Sequence, residues 1–198
     1  MMFLVLMMPV LFYLLIDQTT INHLVEIYRP QTKIEYSLWF LCLMVAMTIG
    51  LPRQIAAFSS GYLLGTVSGA IFATLAASCA CLLTFISARF IFHQSIKRRF
   101  PEQLNKLNIF FTHDVFIKAF TIRLIPAGSN FLTNVLAGTA KAPLLRYLGG
   151  STLGFIPQMT LFSMLGAGIY VGDNQQVLLS AILLVIALVL IAYLVKKR

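Results

Sequence analysis

The sequence predicts an all-α integral membrane protein. Its plan is an inverted repeat, each half a re-entrant helical hairpin plus a transmembrane helix, with flanking N- and C-terminal transmembrane helices. Three observations lead there. Of 198 residues, 59% are hydrophobic and 11% charged, against about 25% charged in a soluble domain. A soluble core of this size cannot bury so much apolar surface, so lipid must be the solvent. Several apolar stretches are too short to cross a bilayer and are stopped by proline or glycine. Two of these interruptions resemble one another, and a stretch long enough to span follows each.

The elements follow in order within a single membrane domain, 1–198. Residues 1–16 are apolar and read as a retained, short or tilted first span. They carry no basic n-region and no small-residue cleavage site follows, so a cleavable signal is not expected. Residues 17–37 form an external loop. Repeat one is 38–88. Its piece 38–51 falls short of the roughly 20 residues a span requires and is stopped by Gly50-Leu51-Pro52-Arg53. A second short piece, 54–64, ends at Gly65, and a span follows at about 67–88. Residues 89–114 read as a basic loop. Repeat two is 115–171: 115–125 stops at Pro126-Ala127-Gly128-Ser129-Asn130, 131–137 ends at Gly138, and a span follows at about 148–171. The last span, 177–195, leads into a basic tail. Pro52 precedes Gly65 by thirteen residues, and Pro126 precedes Gly138 by twelve. Irregular backbone at membrane depth survives only inside protein or beside a watery cavity, so two such breaks imply an internal cavity.

Charge placement fits opposed repeats. Net charge is +9. Arg89, Lys97, Arg98, Arg99 and Lys106 mark 89–114 as cytoplasmic, as Lys196, Lys197 and Arg198 mark the tail. The segment 17–37 has no basic excess, and 172–176 holds only Asp173; both read as external. The first hairpin then enters from outside and the second from the cytoplasm, with Lys141 and Arg146 returning to the cytoplasm. This is the inverted-repeat plan of many transporters. The basic charge suits anionic lipid heads; no aromatic-interleaved soluble surface accompanies it, so nucleic acid is not an expected partner.

Small residues carry packing. Gly61, Gly65, Gly69, Ala73 and Ala77 recur every four residues and read as one face of a helix; Gly150 and Gly154 repeat the spacing. Such ladders let backbones touch in lipid, within one chain or between copies of a homo-oligomer. Pro157 reads as a kink. Cys42, Cys79 and Cys81 read as small packing residues. His23, His93 and His113 form no ligand spacing, so neither a metal nor a cofactor is expected. No nucleophile–base motif or paired carboxylates occur, and an enzyme is not expected.

The arginines carry the functional expectation. Arg53, Arg89 and Arg123 lie in or against apolar stretches, with no acidic residue between Glu35 and Glu102. A charge at bilayer depth costs a few kcal/mol or more without compensation. Arg123 lies just before the break at Pro126. Its guanidinium is a fork suited to phosphate, and a broken helix adds freed N–H groups. Asn130 and Asn134 would offer amide donors beside it; Ser129 and Thr133 add hydroxyls. The alternative is that Arg123 caps carbonyls freed by the break. Arg53, followed by Gln54, holds the matching position in repeat one, facing the same cavity or snorkelling to the external headgroups. Arg89 and Arg146 read as interfacial anchors. Gln158 would line the pore.

The stretch Phe120-Thr121-Ile122-Arg123-Leu124-Ile125-Pro126, with Asn134-Val135-Leu136-Ala137-Gly138 and Gly154-Phe155-Ile156-Pro157 after it, resembles the signature of the DedA superfamily. That superfamily includes the SNARE-associated Golgi proteins, or VTT-domain family. Gly50-Leu51-Pro52-Arg53, Gly61-Tyr62-Leu63-Leu64-Gly65 and Gly69 resemble its first half, so the likeness covers 38–171, closest to the bacterial inner-membrane branch. It implies opposed re-entrant hairpins and movement of undecaprenyl phosphate or phospholipid across the bilayer, with the second-hairpin arginine at Arg123. Two departures stand out. Where many bacterial members carry a proton-coupling acid, this chain has Arg53 and Gln54. The usual second proline after Pro126 is replaced by the Gly128-Ser129 region.

The expected activity is therefore flippase- or scramblase-like transport of a lipid phosphate, with membrane lipids as partners. A small-anion transporter and a non-transporting membrane assembly or homeostasis protein are the alternatives.

Overall fold

The computed structural model describes residues 30–124 and 129–171, with 175, 179 and 182. The span expected at 1–16, that at 177–195 apart from 179 and 182, and Pro126 lie outside them. Among the described residues the chain is all-helical: α1 (Lys33–Ile49), α2 (Arg53–Leu64), α3 (Thr66–Arg99), α4 (Pro101–Phe110), α5 (Val115–Leu124), α6 (Asn130–Thr139) and α7 (Leu144–Val171).

Local chemistry sets the boundaries. A capping box starts α1: the Glu35 carboxylate accepts from Gln31 N–H at 2.7 Å, and Glu35 N–H donates to the Thr32 hydroxyl at 3.3 Å. Gly50, at φ +129°, ends it, and the Leu51 N–H reaches back to the Ala46 carbonyl at 2.9 Å, a reversal that favours glycine. Ser129 N-caps α6, its hydroxyl accepting from Leu132 N–H at 3.3 Å. A Schellman closure ends α6. Lys141, at φ +52°, donates to Gly138 O at 3.0 Å, and Ala142 donates to Ala137 O at 3.1 Å.

Two sequence expectations change. The glycine ladder is not one helix face. Gly65 takes φ +85° and separates α2 from α3, so the chain turns there. Gly61 and Gly69 come to lie against one another, and a Cβ at Gly69 would sit 2.6 Å from the Gly61 Cα. Periodicity cannot register a positive φ. The segment 89–114 is also not a loop. α3 runs on through Arg89 to Arg99, and α4 follows at once with Pro101 in its first turn; proline suits that position because its missing N–H is not called on there.

α3 and α7 are both long and apolar enough to cross a membrane, over Thr66–Ile91 and Leu144–Ile169. Large apolar side chains point outward: Ile34, Leu38, Leu41, Val45 and Ile49 on α1, and Val67, Ile71 and Leu75 on α3. Ala56, Ala57, Ala73, Ala76, Ala77 and Ala80 are fully buried. Small inside and large outside is the distribution expected where lipid is the solvent.

The described residues form two compact units. One holds 30–39, Gln54–Ala73 and 157–171. In it Gly61 abuts the backbone of Ser163, Gly166 abuts Phe58 and Tyr62, and the Ser163 hydroxyl donates to Thr66 O at 2.8 Å. The other holds Phe40–Arg53 and Thr74–Ile156. There Gly138 of α6 lies on the Phe85 carbonyl of α3. Gly150 and Gly154 of α7 lie on α5, at Phe116 and at Phe120 and Arg123. Ser78 and Thr152 hydrogen-bond at 2.9 Å.

Candidate anion-binding site

Arg123, in the last turn of α5, is 2% exposed. Gly154 on α7 leaves room for its stem: a Cβ there would lie 2.6 Å from Arg123 Cβ. Its guanidinium meets oxygens from two helices. Nε donates to the Ser151 hydroxyl at 3.3 Å, and Nη1 to the Thr133 hydroxyl. Nη2 donates to Asn134 Oδ1 and to the Tyr147 hydroxyl, the latter at 2.6 Å. The Tyr147 hydroxyl and the Cys81 thiol also donate to Asn134 Oδ1, at 2.9 and 3.2 Å. A guanidinium has five N–H hydrogens. These contacts use four, and the fifth has no partner among the described residues.

Arg53, at the start of α2, is 5% exposed. It donates from Nη2 to the Arg123 main-chain carbonyl at 3.1 Å. Both guanidinium carbons lie over the Phe155 ring, Arg53 at 5.3 Å and Arg123 at 5.2 Å from its centroid. Headgroup snorkelling does not describe so buried a side chain. The four engaged Arg123 donors go to side chains and not to main-chain carbonyls; among the described residues it is Arg53 that caps a carbonyl.

The other sequence-derived candidates divide. Asn134 is buried at the centre, but as an acceptor: its carbonyl oxygen faces the cation, because a guanidinium offers only donors. Thr133 joins it. Ser129 is committed to the helix cap. Asn130 has a buried Oδ1 without a partner. Gln54 is buried and Gln158 half-buried; both belong to the other compact unit, as do Gly61, Gly65, Gly69 and Pro157. Pro52 lies between α1 and α2. Arg89 is half-buried and Arg146 exposed. Sequence reasoning missed Tyr147, Ser151 and Phe155 and gave Cys81 only packing. The first three follow the four-residue spacing of one α7 face, beside Gly150 and Gly154, and that spacing was the available signal.

No Asp or Glu lies between Glu35 and Glu102 or between Asp114 and Asp173. No cluster of three or more potential metal ligands occurs among the described residues. The acceptors gathered around Arg123 among the described residues are neutral, and a second guanidinium lies on the same ring, an arrangement that can hold an anion.

Fold and site together define a helical, membrane-associated protein with a buried arginine pair. The VTT-domain family model matches residues 51–168, and the chain belongs to that family, the DedA/SNARE-associated Golgi proteins, which is associated with membrane transport and homeostasis. No curated protein and no solved structure matches the chain.

Proposed function

We propose that the protein carries an anionic lipid, a lipid phosphate such as undecaprenyl phosphate or a phospholipid, across the bacterial inner membrane, the head group meeting Arg123 and Arg53. One observation carries this: two guanidinium groups lie buried on one aromatic ring, and the Arg123 fork meets only neutral oxygens among the described residues. Hydrogen bonds to neutral oxygens satisfy donors but leave the charge, and an uncompensated charge at bilayer depth costs a few kcal/mol. A phosphate would bring a negative charge to Arg123 and accept a charge-assisted hydrogen bond from it, with Arg53 beside it.

In this proposal α1–α2 and α5–α6 are opposed re-entrant hairpins, with 89–114 and the tail cytoplasmic. The short helices and their breaks support that plan, as does the asymmetry of basic residues. The protein acts as a carrier and not as an enzyme, since its grouped side chains bind rather than react. Membrane lipids are its partners, and no nucleic acid or cofactor is required. Proton coupling through the first hairpin is not part of the proposal, because Arg53 and Gln54 stand there.

A second reading has its own observation. Four of the five Arg123 donors are already taken, as in a structural hub of a non-transporting assembly or homeostasis protein. Reconstituted flux decides between them, with polyprenyl phosphate, phospholipid and small anions compared in liposomes. Arg123→Ala should abolish lipid flux while the protein still inserts. Normal flux by that variant would remove the transport proposal, and flux of small anions alone would replace the lipid as cargo.

A further inference from the structure

Beside Arg123 lies a cavity of about 110 Å3. Its walls are apolar: Leu107, Phe110 and Phe111 from α4 and its end, Ala119 and Ile122 from α5, and Leu136 from α6. Its polar lining is Arg123, Thr133 and Tyr147, three groups already bonded to one another. We infer that this cavity receives the first carbons of an aliphatic chain ester-linked to the bound anion, so that the site selects an organic phosphate ester over inorganic phosphate. The inference rests on the anion site proposed above.

Size, polarity and position agree on that occupant. An apolar cavity of ~150 Å3 takes up benzene; this one is smaller and suits a slender unit. At ~30 Å3 per group the size of a water, it holds roughly four carbons. Water is a poor tenant, since it needs two to four polar partners and the polar groups here are largely engaged. An inorganic anion would fill none of the apolar wall. An anion carrying a chain puts its charge at the guanidinium and its carbons against Ile122 and Leu136. Each methylene moved out of water contributes about 0.8 kcal/mol, so three added methylenes give roughly fiftyfold in affinity.

The test is equilibrium binding to the purified full-length protein in detergent, using methyl phosphate, butyl phosphate and butanol as probes. Butyl phosphate should bind about ten- to fiftyfold more tightly than methyl phosphate. Ala119→Leu, which places a side chain in the cavity, should bring that ratio close to one. If Ala119→Leu does not fold, Leu136→Ala serves instead: it enlarges the cavity and should move the preference from butyl to hexyl phosphate. An unchanged ratio and chain preference in the folded variant overturns the inference. Equal binding of methyl and butyl phosphate overturns it while leaving the anion site standing. Butanol binding as tightly as butyl phosphate overturns it too, because the chain would then be held without the charge. Binding of no phosphate overturns both this inference and the anion site.

Discussion

Arg53 hydrogen-bonds the main-chain carbonyl of Arg123 at 3.1 Å, across 70 residues of sequence. That carbonyl belongs to the last turn of α5, where helix carbonyls have no partner of their own. The arginine of the first break thus closes the helix end of the second. The two breaks are physically joined, and the contact brings a second positive charge to the ring that already stacks on Arg123.

Removing Arg53 should therefore weaken the fold as well as the site. Arg53→Met leaves a buried carbonyl without this donor, a loss of about 1–3 kcal/mol. Arg53→Lys should recover part of it, since an ammonium reaches a carbonyl but lacks the flat face presented to Phe155. Thermal unfolding of the three proteins in detergent checks the order: wild type, then Lys, then Met.

Gly154 and Gly149 offer a matched pair. A Cβ at Gly154 would press on Arg123 Cβ at 2.6 Å and on the Phe120 carbonyl at 2.9 Å, forcing α7 away from α5. Gly154→Ala should cost about 1–3 kcal/mol and disturb the Ser151 and Tyr147 contacts to Arg123. A Cβ at Gly149 would meet only the Phe116 ring, at 3.4 Å. Gly149→Ala should be neutral or slightly stabilising, since alanine gains up to ~1 kcal/mol over glycine in a helix. Equal destabilisation by both would show that α7 does not pack through Gly154.

Much of this was legible in the sequence, and the illegible part has a physical pattern. Gly50, Pro52 and the Ser129 region mark breaks because they act within one or two residues of themselves. The apolar pieces between them therefore fall within a few residues of α1, α2, α5 and α6. The burial of Arg123 was legible because no acid accompanies it. Tyr147, Ser151 and Phe155 were hidden. They lie in a stretch that reads as plain span, and only the docking of Gly150 and Gly154 on α5 turns their face to Arg123. Asn134 was placed correctly but with its amide reversed, because the side chain alone does not say which end meets a cation. The segment 89–114 looked like a loop by charge, yet lysine, arginine and glutamine are good helix formers, and α3 continues until Pro101 takes over.

The start of α1 should depend on pH. Glu35 is fully exposed, ahead of the apolar stretch 38–51. The Gln31 backbone N–H, and after it Thr32, hold its carboxyl below the usual carboxylate range. A carboxyl lowered on folding stabilises above its unfolded value, and that contribution is lost as pH falls through the folded value. Amide exchange at 33–36 should be slow at neutral pH and accelerate, relative to intrinsic rates, in acid below the ordinary carboxylate range. Glu35→Gln should flatten this dependence. Protection unchanged by acid in the wild type would show that the capping box does not hold the helix end.

Asn134→Asp separates structure from transport. Asn134 is 1% exposed and presents its oxygen to Arg123 Nη2 and the Tyr147 hydroxyl. An aspartate keeps the shape and these acceptor contacts, and sets a negative charge against Arg123, which meets only neutral oxygens among the described residues. Charge-assisted bonds of this kind are roughly twice as strong as neutral ones. If the cations matter only for the fold, the variant should be more stable and otherwise unchanged. If they wait for an anion, the carboxylate takes its place as a permanent internal competitor. The expected outcome is a melting temperature raised by about 2–8 °C, as ~1–2 kcal/mol gives for a chain of this size, together with at least a tenfold fall in lipid flux, roughly the factor that 1.4 kcal/mol of lost affinity produces. Asn134→Leu should do the reverse to stability, leaving a guanidinium N–H and a hydroxyl without their acceptor. Stable Asn134→Asp protein that transports at the wild-type rate would mean that Arg123 does not meet a negative charge on the cargo.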